Sequence, residues 1–218
     1  MSEQTVQDQP YMVSVYESKD AGDTLIFTFV PKQKRGPGDA PQRPPQFVAA
    51  VRQEESGLAF QWSESPDDPG DAREEIQAEI SARMNDREIW ISRATSLADQ
   101  VAQWATEMGW STRRVEKKLD DARIGKHVVP AILMQEDTCR VLLEPLGRST
   151  LGSEGVVHLY LMPAYDDIAV LYYYGNQWNL HYLFAGTEPV ATVREAEATP
   201  LSKEALEKVL EEMRQHAA

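Results

Sequence analysis

The chain has 218 residues, of which 42% are hydrophobic and 26% are charged, and its formal net charge is −13. This composition is typical of a globular protein and not of a disordered one. The negative charge works against whole-surface attraction to nucleic acid or to anionic lipid. No apolar run approaches the roughly 20 residues that a membrane-spanning helix needs, so no membrane partner is expected.

Two further features bear on location and chemistry. Residues 1–10 contain neither a basic start nor an apolar core, so they are predicted to be a disordered tail and not a signal peptide. The single cysteine, Cys139, excludes an internal disulfide and a multi-cysteine zinc site. We therefore expect a cytoplasmic protein without a cofactor.

The first predicted block, residues 11–64, is an antiparallel β meander. Runs of β-branched and aromatic residues alternate with turn residues, which is the pattern of strands joined by hairpin loops. A proline-rich loop over residues 31–46 divides the block. The predicted strands are residues 11–17, 24–30, 47–53 and 58–64.

The second predicted block, residues 71–124, is a pair of helices. In the first helix, after a break at residues 85–86, apolar residues step by three and four, which indicates a core-facing helix face. Gly109 is placed to end that helix in the left-handed conformation. A second helix then runs to about residue 123, with Val115 and Leu119 facing inward.

The third predicted block, residues 128–184, is an antiparallel sheet, and an amphipathic helix over residues 202–215 closes the chain. The predicted strands are residues 128–135, 138–144, 156–162, 169–174 and 178–184. Together the blocks predict one α+β domain over residues 11–218. Its parts are an N-terminal antiparallel β meander, a central helical pair, a C-terminal antiparallel sheet packed on helices, and a terminal amphipathic helix.

The hairpin over residues 169–184 has the best-defined register. Gly175-Asn176 supplies two residues that tolerate positive φ in a two-residue turn. With that turn Tyr173 faces Trp178 and Leu171 faces Leu180, so apolar residues share one face of the sheet. A one-residue slip would mix the two faces.

The opposite face of the predicted sheet collects polar and aromatic side chains. Tyrosine gives a large contact area at low entropic cost, which is why it marks interfaces, and histidines beside an Arg/Glu pair can titrate or bind an anion. The alternative is that these are strand-forming residues on a wet face, or residues beneath the meander. The candidate partner-binding residues are Arg140, Glu144, His158, Tyr160, Tyr172, Tyr174, Asn179 and His181.

Residues 104–123 resemble a DNA-binding helix-turn-helix. Trp104 and Met108 end the first helix, Gly109 makes the turn, and Val115 anchors the second helix. Cations on that second helix would suit phosphate and guanine contacts. The alternative is a plain helical corner, because acidic residues interrupt the basic face. The four cations are Arg113, Arg114, Lys117 and Lys118.

A third hypothesis is a metal-dependent hydrolase or nuclease around Glu144, His158 and Asp166. Glu144, Asp166 and Asp167 could hold a divalent cation near strand ends. The strand after Asp167 offers no further acid or lysine at short spacing, so neither a metal site nor a catalytic residue is expected.

The leading hypothesis is a non-enzymatic, cytoplasmic interaction module of a bacterial kind. It would bind a protein partner or its own copy through the tyrosine-rich sheet face or through the tryptophan-rich long helix. A DNA-binding regulator is the alternative, although the strong negative charge disfavours nucleic acid as a partner.

Overall fold

The protein has an α+β fold, which confirms the predicted class, and its chain divides into two compact units, residues 1–83 and 84–218. The prediction of a single domain over residues 11–218 stays a prediction. Within the described residues no helix is both long and apolar enough to cross a membrane. The computed structural model describes residues 11–17, 24–31, 47–54, 57–62, 69–121, 123–148, 152–165, 167–188 and 190–217.

The first unit contains the predicted antiparallel meander, with four strands paired in chain order. Its strands are β1 (Tyr11–Glu17), β2 (Thr24–Pro31), β3 (Phe47–Glu54) and β4 (Gly57–Trp62). Phe27, Ala49 and Val51 are buried in this unit, as expected for apolar side chains on one face of a sheet. The predicted tail over residues 1–10 and most of the proline-rich loop lie outside the described residues.

A single helix, α1 (Pro69–Glu107), occupies the segment where the sequence predicts a break. The prediction of a break at residues 85–86 is wrong, because α1 continues through both residues. The Asp86 carboxylate does not cap a new helix there. It binds Arg123 (Nε–Oδ2 3.0 Å) and Arg148 (Nη2–Oδ1 2.9 Å) instead. The end of the helix is as predicted: Gly109 has a φ of +92°, and the N–H of the next residue donates to the carbonyl of Ala105 (2.9 Å).

The second unit is built on a seven-stranded antiparallel sheet in which each strand pairs with its neighbour in the chain. Such a meander needs only short connections. A 3₁₀ turn, Val193–Glu195, precedes the last strand, and helix α2 (Lys203–His216) follows it. The strands are β5 (Ser111–Asp121), β6 (Gly125–Glu136), β7 (Cys139–Gly147), β8 (Val156–Met162), β9 (Ile168–Tyr174), β10 (Gln177–His181) and β11 (Ala198–Pro200).

The predicted hairpin is formed by β9 and β10, and its register is confirmed. Tyr173 pairs with Trp178 and Leu171 with Leu180. Gly175 and Asn176 each have a φ of +60°, which is the conformation that a type I′ turn requires at both central positions. Turn chemistry and side-chain alternation therefore specify the same register.

Both helices pack on the aliphatic face of the sheet. The side chains of α1 and α2 and those of β7 to β10 form one buried core. Each fully buried leucine or valine contributes about 1.5–3 kcal/mol relative to an exposed one, so this face is the main source of stability in the unit. The largest fully buried side chains in this core are Trp90, Leu97, Ile132, Met134, Leu143, Leu159, Leu171, Leu206 and Leu210.

The prediction of a second helix in the central pair is wrong, because residues 111–121 form strand β5. A spacing of four between Val115 and Leu119 places both residues on one side of a helix, but it also places them on one side of a strand. β5 pairs with β6 along its whole length and is an edge of the sheet. Its charged side chains are typical of edge strands, which must not pair with other chains.

Helix α2 confirms the predicted C-terminal helix. Its buried stripe is Leu206, Val209, Leu210 and Met213. At its first turn the hydroxyl of Ser202 accepts from the N–H of Ala205 (3.2 Å), the cap that serine commonly supplies. Exposed ion pairs flank the helix, but such pairs contribute little, so the apolar stripe holds α2 on the sheet.

The close approach of two indole rings to Gly155 gives a test of this core. A Cβ added there would lie 2.9 Å from Trp90 Cζ3 and 3.0 Å from Trp178 Cη2. Because both rings are buried, we expect Gly155→Ala to lower the free energy of unfolding by about 1–3 kcal/mol through overpacking, as measured by urea denaturation. Gly147→Ala is the matched control, since a Cβ there meets nothing within 4 Å. Equal midpoints for the two variants would contradict the close packing.

Candidate functional site

The candidate residues on β7 to β10 occupy strand positions that alternate with the core residues, so they lie on the sheet face away from the helices. Strand pairing aligns several of them. Glu144 pairs with His158, His158 with Val170, and Val170 with His181. The face nevertheless divides into two parts with different surroundings.

The part on β9 and β10 is covered at Asn179 and His181, which corrects the prediction that these side chains are solvated, whereas Tyr174 remains 37% exposed. His181 is only 6% exposed and Asn179 only 4%. His181 Nδ1 lies 3.1 Å from the carbonyl of Ala196, so this nitrogen carries the proton, and Nε2 lies 3.3 Å from the hydroxyl of Tyr174. The 3₁₀ turn and β11 thus bring a backbone acceptor to the imidazole. Sequence reasoning missed both elements.

Asn179 and the neighbouring tyrosines belong to the same structural network. The Asn179 amide donates to the carbonyls of Tyr174 (3.1 Å) and Gln177 (3.2 Å) across the hairpin turn. The Tyr172 ring packs edge-on against His181 at 5.3 Å, and the guanidinium of Arg194 lies 5.2 Å from its centroid. These hydrogen bonds and ring contacts join parts of the chain to one another, so they stabilise this part of the fold.

The part on β7 and β8 has a different character. We use the name outer cluster for Lys117, Glu144, His158, Tyr160 and Tyr165. Lys117 Nζ lies 2.7 Å from Glu144 Oε1, and His158 Nδ1 lies 2.8 Å from the Tyr160 hydroxyl. The rings of Tyr160 and Tyr165 meet edge to face with centroids 5.3 Å apart, a favoured aromatic geometry.

The outer cluster carries little net charge. Burial lowers the pKa of His158; the Glu144 carboxylate opposes that shift and Lys117 adds to it. Burial, followed by Glu144 and Tyr165, raises the pKa of Tyr160. At neutral pH both rings are therefore uncharged. The remaining charges, on Lys117 and Glu144, neutralise one another.

Tyr165 is the most exposed member of the outer cluster, with 46% of its surface accessible. It lies in the turn between β8 and β9 with a φ of +59°, and its N–H donates to the carbonyl of Leu161 (3.0 Å). Sequence reasoning did not select Tyr165 because its segment consists of turn residues. It did not select Lys117 for this site because it assigned Lys117 to a helix. Arg140 is exposed on β7.

The carboxylates of the hydrolase hypothesis do not converge among the described residues. Glu144 binds Lys117, whereas Asp167 Oδ2 accepts from the Tyr182 hydroxyl (2.9 Å) and lies 2.8 Å from His216 Nδ1. Asp166 lies outside the described residues. In the part of the chain that the structure describes, no group of three or more His, Cys, Asp or Glu side chains is placed to hold a metal ion.

The helix-turn-helix prediction is wrong, because Arg113, Arg114, Lys117 and Lys118 lie on strand β5 and not on a recognition helix. Two of these cations are also engaged within the protein: Arg114 pairs with Asp99 on α1, and Lys117 pairs with Glu144. Because β5 pairs with β6 along its full length, these cations do not have the spacing of a recognition helix.

Comparison of the chain with models of protein families, with curated proteins and with solved structures finds no match in any of the three.

The pKa of His158 provides a direct test of the outer cluster. We expect its ring signals in NMR to titrate with a midpoint below 6.5, the value of an unperturbed imidazole. A lowered pKa means that His158 binds a proton more readily in the unfolded chain than in the folded protein. The contribution of His158 to the free energy of unfolding is therefore fully present above pH 6.5. It is lost as the pH falls from 6.5 toward the pKa of the folded protein.

Lys117→Gln should raise that midpoint, because it removes a repelling cation and frees the Glu144 carboxylate. Arg113→Gln, which removes an exposed cation from the same strand, is the control and should leave the midpoint unchanged. A wild-type midpoint at or above 6.5 would contradict the partial burial of the His158 ring.

Proposed function

We propose that the protein is a non-enzymatic interaction module that binds a protein partner, or a second copy of itself, through the outer cluster. The observation that carries this proposal is an aromatic pair, the exposed Tyr165 and the partly buried Tyr160. The pair lies beside a neutral imidazole on a sheet face that the helices leave open. The proposal is narrower than the whole tyrosine-rich face, because Asn179 and His181 are buried.

The chemistry of the outer cluster suits a protein surface. Tyrosine combines a large apolar ring with a hydroxyl, and it loses little conformational entropy when it is immobilised. The edge-to-face contact fixes Tyr160 and Tyr165 relative to one another. A surface that is ordered before binding loses less free energy on association than a flexible one.

Local neutrality also supports the proposal. Two chains of net charge −13 repel one another, but the outer cluster has an internal ion pair and two uncharged rings. Charged residues are depleted from the centres of protein interfaces. A neutral, aromatic surface on an otherwise acidic protein is therefore a suitable place for protein contact.

The two other hypotheses have weaker support. A hydrolase around Glu144 would need a free carboxylate, and Lys117 already neutralises this one at 2.7 Å. A DNA-binding regulator would need its four cations on a helix, and they lie on an edge strand. Neither hypothesis gains a favourable observation from the described residues.

The proposal is tested with Tyr165→Asn. Asparagine tolerates the positive φ at this position, so the substitution removes the ring while the turn conformation is retained. A photo-crosslinking amino acid at position 140, an exposed site on β7 opposite Met162, should join the wild-type protein to one defined partner or to a second copy. In cells that express the protein naturally, we expect Tyr165→Asn to reduce that product by about tenfold, the effect of losing roughly 1.4 kcal/mol of binding energy.

Tyr174→Asn is the matched control, because it removes a comparably exposed ring, 37% against 46%, from the other part of the same face. Sedimentation velocity separates self-association from binding of a different protein. If the Tyr165→Asn product is as abundant as that of the wild type, or if only Tyr174→Asn reduces it, the outer cluster is not the interaction surface.

A further inference from the structure

A cleft of about 560 Å³ lies at the β5–β6 end of the sheet, away from the residues of the outer cluster. It is lined by Arg87 of α1 and by residues of β5 and β6. Its size falls in the range of small-molecule sites. The lining residues are Arg87, Lys118, Leu119, Asp120, Lys126, His127 and Val128.

The cleft is positively charged in a protein of net charge −13. Arg87, Lys118 and Lys126 line it, against one carboxylate, that of Asp120. Strand pairing sets Asp120 opposite Lys126, so that acid offsets one cation and two remain. Within the described residues, none of these three cations forms an ion pair.

Two acids near the cleft, Asp86 and Asp121, are bound by groups outside it. Asp86 precedes Arg87 and binds two arginines, Arg123 and Arg148. Asp121 turns into the hairpin loop, where its Oδ1 accepts from the backbone N–H groups of Arg123 (2.8 Å) and Ile124 (3.1 Å). The lining residues thus comprise three cations and one carboxylate, and Asp86, the acid next to Arg87, is already neutralised by other arginines.

The wall of the cleft is rigid and partly apolar. His127 is 4% exposed, and its two ring nitrogens are both engaged: Trp90 Nε1 donates to Nε2 (2.9 Å), and Nδ1 donates to the carbonyl of Gly125 (2.9 Å). An indole N–H can only donate, so Nε2 must be the acceptor and the imidazole is neutral. Leu119 and the exposed Val128 supply aliphatic surface beside it.

From this combination we infer that the cleft binds a small organic anion, one in which a carboxylate or phosphate group is attached to an apolar body. Arg87 and Lys118 bind the oxyanion, through charge-assisted hydrogen bonds that are stronger than neutral ones. Leu119 and Val128 contact the apolar body. This site is independent of the proposed interaction surface, so either one can fail without the other.

The test uses phenyl phosphate, benzoate and inorganic phosphate as probes of the full-length protein, with benzylamine as a probe of opposite charge. In amide NMR titrations we expect phenyl phosphate or benzoate to shift the signals of Leu119, His127 and Val128. We also expect inorganic phosphate to bind more weakly than phenyl phosphate, and benzylamine to leave these signals unchanged. The tighter of the two aromatic probes identifies the anionic group.

Arg87→Gln combined with Lys118→Gln should weaken phenyl phosphate binding roughly tenfold or more, since two charge-assisted contacts are lost. Both side chains are exposed, and an unchanged melting temperature would verify that the fold is intact. Arg113→Gln removes a cation from the other end of β5 and should have no effect.

Three results would overturn the inference. They are equal affinity of the wild type and the double variant, equal binding of phenyl phosphate and benzylamine, and an absence of shifts at the cleft with millimolar phenyl phosphate.

Discussion

Burial of one sheet face under two helices is the constraint from which the rest of the second unit follows. Side chains alternate between the two sides of a strand, so packing of Val141, Leu159 and Leu171 against α1 and α2 leaves Glu144, His158 and Tyr172 on the opposite face. The polar and aromatic face is therefore a geometric consequence of the core. Its chemistry then depends on what covers each part of it.

On the face opposite the helices, side chains that are covered by another segment stabilise the fold, whereas side chains that are accessible can contact a partner. The segment that carries the 3₁₀ turn and β11 brings the carbonyl of Ala196 to His181 and the guanidinium of Arg194 to Tyr172. A buried polar group that has its hydrogen bonds is a stabilising feature, whereas one without them would be costly. In the outer cluster, by contrast, the Tyr165 ring remains largely accessible.

Charge distribution distinguishes the two surfaces that we propose. The chain as a whole is strongly acidic, but the outer cluster is locally neutral and the β5–β6 cleft is locally positive. Local neutrality favours contact with another protein, and local positive charge favours binding of a small anion. The two surfaces share no residue, although Lys117 and Lys118 are neighbours in β5.

Local sequence patterns were sufficient to predict the structure wherever residues close together in the chain determine it. The Gly175-Asn176 turn, the left-handed Gly109 and the apolar stripe of α2 were predicted from short stretches of sequence. β5 was not, because a spacing of four fits both a helix and a strand, and its pairing with β6 decides between them. The burial of His181 was not predicted either, since β11 has only three residues and no detectable alternation. The Lys117–Glu144 ion pair joins strands that are not adjacent in the sheet, and no local pattern indicates such a contact.

The division of the sheet into a core face and an open face is the central claim, and solvent accessibility of the tyrosine rings tests it most directly. A neutral, soluble paramagnetic probe broadens the NMR signals of protons near the surface. Among the tyrosines of the second unit, the rings of Tyr165 and Tyr174 should broaden most. The ring of Tyr182 should broaden least, because it is 5% exposed and packs against Phe184 with centroids 4.8 Å apart. Broadening of Tyr182 to the same extent as Tyr165 would contradict the assignment of the two faces.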